Sequence, residues 1–162
     1  MSSSILCVIL SILACSYALW RGGSPERWGA AILLVGMLAT TLVISTWTNR
    51  LKSVEVGVLI VDLIVLASLL MLAVRANRFW PMGVVALHLV GVASHLLPML
   101  QPRTSPALYG MLSEYGSFAM LPLLALGTWN HRERLKRFGR DRSWVNSSQP
   151  STAVRGKPGP NA

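Results

Sequence analysis

Apolar residues run through this chain in five nearly unbroken blocks, and the polar positions collect between them. The blocks fall at about 4–20, 28–47, 54–74, 80–100 and 107–129. None keeps the polar face that a soluble amphipathic helix turns toward water. Each is about 20 residues long, enough for a helix to cross the roughly 30 Å hydrocarbon core of a bilayer. The pattern predicts an all-α fold: an integral membrane bundle of five transmembrane helices over 1–130. A short, basic, mostly disordered cytoplasmic tail follows over 131–162.

The breaks between blocks carry turn chemistry. In Arg21-Gly22-Gly23-Ser24-Pro25-Glu26-Arg27, Ser24 suits an N-cap, Pro25 the first helical position and Glu26 the positive end of the helix dipole. Ser105-Pro106 repeats the device before the fifth block, and Pro81 sits where a proline costs little, in a first turn. The first block has no Lys or Arg in Met1–Ser4, unlike a signal peptide, and Ile12-Leu13-Ala14-Cys15 fits a lipoprotein processing box poorly. Five tryptophans, Trp20, Trp28, Trp47, Trp80 and Trp129, stand at block ends, where indoles favour the headgroup level.

Composition agrees with the pattern. The chain is 52% hydrophobic and only 13% charged, against about 25% charged in a typical soluble domain. The net charge of +9 would point to nucleic acid in a soluble protein. Here the basic residues occupy turns and the tail, so no nucleic-acid partner is expected, and the charge reads as topogenic. Near the membrane, one side collects Arg21, Arg27, Arg75, Arg78, Arg132, Arg134, Lys136, Arg137, Arg140 and Arg142, while the other has Arg50, Lys52 and Arg103. Ten against three places the C-terminus in the cytoplasm and the N-terminus outside an inner membrane. Two basic-aromatic turns, Glu26-Arg27-Trp28-Gly29 and Arg78-Phe79-Trp80-Pro81-Met82-Gly83, hint at a repeat of spans one-two in spans three-four.

Ionisable side chains inside hydrocarbon are costly and mark function by default. Counted at 1.5 Å per residue, Asp62 lies roughly 12 Å, His95 roughly 8 Å, His88 roughly 18 Å and Glu114 roughly 10 Å below the outer surface. His88 and His95 are seven residues apart and share a helix face. These four residues form a candidate cluster for a proton, an ion or a polar ligand; the alternative is an interhelical hydrogen bond from Asp62 to His88 or His95. The histidines lie roughly 10 Å apart on one helix and cannot ligate one haem iron from both faces. No metal site is expected, and Cys7 and Cys15 are too far apart along one helix for a disulfide. Gly36-x-x-x-Thr40 and Ser113-x-x-x-Ser117 permit close helix approach, within the bundle or between copies.

In the tail, His131 to Trp144 interleaves Leu135, Phe138 and Trp144 with Arg132, Arg134, Lys136, Arg137, Arg140 and Arg142. That reads as a short interfacial helix on anionic lipid. Phosphate-binding loops, nucleophile elbows, His-Glu-x-x-His and Cys-x-x-Cys are absent from the sequence, and no cofactor is expected. Three stretches, Trp20-Arg21-Gly22-Gly23 through Arg27, Gly57-Val58-Leu59-Ile60-Val61-Asp62-Leu63, and Arg78-Phe79-Trp80-Pro81 with His95 downstream, are similar to small bacterial multi-span inner-membrane proteins. The resemblance covers most of residues 15–131 and implies no activity. The expectation is a non-enzymatic accessory, assembly or interaction subunit, with a membrane-protein partner or a second copy. A small proton- or ion-coupled carrier and an intramembrane redox or quinone-binding protein are the alternatives.

Overall fold

The computed structural model describes residues 2–46, 51–100, 106–139 and 144, with side chains at 5–43, 56–95, 116, 118–139 and 144. Among these residues five helices follow one another: α1 (Ser2–Arg21), α2 (Ser24–Thr46), α3 (Leu51–Arg75), α4 (Trp80–Leu100) and α5 (Pro106–Phe138). Among the described residues there is no strand, only an isolated antiparallel bridge between Ala76 and Trp144. Each helix packs on its neighbours in sequence, and α1 also packs on α5, so the five close into a ring. Short connections make successive helices antiparallel.

The helices meet around Cys15, Ala18, Ala30, Val65, Leu69, Leu72, Trp80, Val84, Met120 and Leu124. Small residues set the closest approaches. A Cβ on Gly36 would stand 2.7 Å from Val65 Cγ2, so the Gly36-x-x-x-Thr40 pattern is used between α2 and α3 inside the bundle. The side chains of Ser113 and Ser117 lie outside the described residues.

Two boundaries differ from the pattern-based reading in ways that bear on the site. The first hydrogen bond of α2 runs from Arg27 N–H to the Gly23 carbonyl at 3.0 Å, so Gly23, not Ser24, is the N-cap. Glu26 then falls at the third helical position. The fifth helix does not end near Trp129 but continues to Phe138. Residues 131–138 are therefore a continuation of α5 rather than a separate helix. Gly139, at φ 67°, ends it, its N–H donating to the Leu135 carbonyl at 3.0 Å. A left-handed residue at this position is glycine's usual place past a helix C-terminus.

Among the described residues two helices are long and apolar enough to cross a membrane, over Ser24–Val43 and Val56–Arg75, and Ile5–Arg21 and Trp80–His95 are shorter apolar stretches.

Candidate functional site

Two polar clusters sit on this frame, one between α3 and α4 and one at the end of the bundle where α1 meets α2 and α3 meets α4.

The first contains Asp62, His88 and His95. His95 Nε2 is 3.1 Å from Asp62 Oδ2, and His88 Nε2 is 3.0 Å from the Asp62 backbone carbonyl. One residue meets two histidines seven positions apart for a geometric reason. Helix side chains tilt toward the N-terminus and carbonyls point toward the C-terminus. In antiparallel α4, His95 lies beside the carboxylate and His88 beside the carbonyl. A carbonyl only accepts, so His88 Nε2 donates. The Asp62 and His95 side chains retain 19% and 11% of their exposure, so the pair is covered but not sealed. The Glu114 side chain lies outside the described residues, as do Arg140 and Arg142.

Interhelical hydrogen bonds inside membranes contribute about 1 kcal/mol or less on average. His95→Ala is accordingly expected to lower stability by about 1 kcal/mol or less in a detergent-unfolding titration, with the helix content retained.

The second cluster is absent from the sequence-based expectation. Glu26, placed there as a dipole partner, is wholly buried. Arg78, placed there as topogenic charge, is buried against it, with Nε 3.4 Å from Glu26 Oε1. Trp80, expected at the headgroup level, is buried as well and donates from Nε1 to the same Oε1 at 3.0 Å. Arg78 Nη2 reaches His131 Nδ1 on α5 at 3.4 Å. The other described tryptophans at the ends of the apolar blocks, Trp20, Trp28 and Trp129, are exposed.

Each partner is held by a local feature. The α1–α2 connection is Gly22-Gly23 alone, and a Cβ on Gly23 would stand 2.8 Å from His131 Cε1 and 3.0 Å from Glu26 Oε2. Glycine at this N-cap therefore lets α5 close over the start of α2. Trp80 lies in a slot between Gly29 of α2 and Gly127 of α5; a Cβ on either would stand 2.5 Å from its ring. The two turns that look like repeats are complementary: Glu26 of one pairs with Arg78 of the other, and Gly29 of one receives Trp80 of the other. Glu26 Oε2 is buried and makes no hydrogen bond among the described residues. The signal available in sequence was the pairing of one acidic residue with two glycines in a turn otherwise basic.

On the α5 extension, Arg132 and Arg134 are half-buried, while Lys136 and Arg137 are exposed. Arg137 donates to Glu133 Oε1 at 3.0 Å, one helical turn away. That hydrogen bond, with the nearby charges of Arg137 and Lys136, holds the Glu133 carboxyl below its ordinary range. A lowered carboxyl pKa contributes support that is present above the unfolded-state value and is lost as pH falls through the folded one. Amide protection over 133–138 is expected to hold at neutral pH and to drop only below the ordinary carboxylate range. Glu133→Gln should remove that pH dependence.

Among the described residues no group of three or more His, Cys, Asp or Glu side chains is placed to hold a metal ion. Comparison with protein-family models, curated proteins and solved structures returned no match.

Proposed function

We propose that the chain is a five-span inner-membrane protein, N-terminus outside and C-terminus in the cytoplasm, acting as a non-enzymatic accessory or assembly subunit. The observation that carries this reading is the outer face of α3. Val56, Ile60, Leu63, Ile64, Leu70, Met71 and Val74 are all exposed, at helical spacing on one side. From Val56 to Val74 the stripe runs about 27 Å at 1.5 Å per residue, close to the roughly 30 Å of bilayer hydrocarbon. Only 22% of the α3 apolar window is buried within the bundle, unlike the core helix of a soluble protein. A soluble monomer rarely leaves so long an apolar face to water.

The charge bias supports the orientation. Arg78 is buried and paired, so it adds little as a topogenic charge, yet the remaining Lys and Arg still divide nine against three. What the molecule then offers a partner is its apolar outer faces and the basic extension of α5, which also meets anionic lipid. Native mass spectrometry of the protein released from membranes in gentle detergent tests this. A second polypeptide in fixed ratio is expected; protein carrying only lipid would overturn the accessory reading.

A second reading has one specific observation in its favour, the partly accessible carboxylate–imidazole pair of Asp62 and His95 within two apolar helices. Such pairs line proton and ion paths. A carrier would lose proton-driven flux in proteoliposomes with Asp62→Asn while its fold stayed intact; no flux by the unaltered protein would remove this reading.

A further inference from the structure

We propose that His131 and Glu26 form a proton-binding site at the base of α5, in which a proton taken up by His131 exchanges its contact with Arg78 for one with Glu26. Naming the cytoplasm as the proton's source rests on the orientation given above; the site itself does not.

The contact at 3.4 Å between Arg78 Nη2 and His131 Nδ1 has only one polarity. A guanidinium has donors and no acceptor, so Nδ1 accepts, and the imidazole hydrogen sits on Nε2. Nε2 borders the notch over Gly23. So does Glu26 Oε2: each lies 3.0 Å from the point a Gly23 Cβ would occupy, so they are no more than 6.0 Å apart. Oε2 is the buried carboxylate oxygen with no hydrogen bond among the described residues. An acceptor in that condition in a native fold calls for an explanation, and a role in proton chemistry is one.

One proton from solution, added at Nδ1, leaves donor facing donor at Arg78 and sets two cations side by side. It also makes the Nε2–H part of a cation, across the notch from Oε2. A charge-assisted bond to a carboxylate is roughly twice as strong as a neutral one, so the imidazolium turns toward Glu26. Among the charged groups facing His131 are Glu26 from α2 and Arg78 from the α3–α4 turn. Around them, Arg21 of α1 lies over the Trp20 ring, Arg27 Nε donates to the Gly22 carbonyl, and Arg75 of α3 is exposed. From α4, Trp80 holds Glu26 through the other oxygen, Oε1, which leaves Oε2 available.

The exchange has a lever attached. His131 is seven residues from the end of α5, and the helix continues without a break to Phe138. A change of partner at His131 that tilts this end of the helix moves the exposed Leu135 and Phe138 with it, which couples the proton to an exposed apolar pair.

The test uses the full chain in lipid nanodiscs, with ketone-linked spin labels on unnatural residues replacing Phe79 and Lys136, both exposed, and both cysteines left native. Distances are measured at about pH 8 and about pH 5, the range in which histidine ordinarily changes charge. The 79–136 distance distribution is expected to shift between the two. The shift should persist in His88→Ala with His95→Ala, and be lost in His131→Gln and in Glu26→Gln. If Glu26→Gln does not fold, nitrogen NMR of the His131 ring in the unaltered protein decides. The Nε2–H tautomer at pH 8, doubly protonated at pH 5, supports the site. A pH-independent distance, a shift that survives His131→Gln, or an Nδ1–H tautomer at pH 8 overturns it.

Discussion

Glu26→Ala is expected to destabilise the bundle more than any change at the Asp62 cluster. It takes the carboxylate away from the Arg78 guanidinium, whose side chain is only 3% exposed, and removes the acceptor of Trp80 Nε1. Removing one member of a buried ion pair costs about 3–5 kcal/mol, because the remaining charge stays desolvated. Arg78→Met should cost a similar amount for the mirrored reason. The double variant Glu26→Ala with Arg78→Met should recover part of the loss, since a buried pair replaced by apolar groups is often nearly neutral. Unfolding titrations of the four proteins form the double-mutant cycle that reads this coupling. Additive losses would mean that the two side chains do not act together.

Trp80→Ala should come next, at about 3–5 kcal/mol for a buried aromatic reduced to a methyl group. The indole fills the space between α2 and α5 over two glycines and also supplies a hydrogen bond to Glu26. Filling the slot from the other side should cost less. Gly127→Val brings its Cβ within 2.5 Å of the Trp80 ring, and overpacking of this kind costs about 1–3 kcal/mol. The indole emission of Trp80, isolated by replacing the other tryptophans with phenylalanine, should move to longer wavelength in Gly127→Val. An unchanged spectrum with unchanged stability would place Trp80 at the surface instead.

Helix number, order and most boundaries were legible because they follow from block length and turn chemistry, which are local. Asp62 with His88 and His95 was legible as a group for a related reason. Depth along a helix can be counted, antiparallel neighbours share depth, and the two histidines share a face. The cluster at the bundle end was not legible. Its members, Glu26, Arg78, Trp80 and His131, come from three places in the chain, and each has an ordinary local use: helix dipole, loop charge, interfacial indole, tail. Only the ring closure of α5 onto α1 and α2 brings them together, and that closure depends on Gly23, Gly29 and Gly127, small residues whose value lies in what they leave open. The overrun of α5 was hidden by composition. Its last turns are polar and charged, so the apolar block ends near Trp129, while Glu133 and Arg137, one turn apart, continue the helix.

The most direct measurement is the sidedness of single cysteines introduced into a cysteine-free chain at Ser3, Asn49, Asn77, Arg103 and Ser147. In intact cells a membrane-impermeant maleimide should label positions 3, 49 and 103, and reach 77 and 147 only after permeabilisation. Labelling of position 147 from outside, or recovery of the protein free of membranes, would contradict a five-helix bundle threaded with its basic end in the cytoplasm.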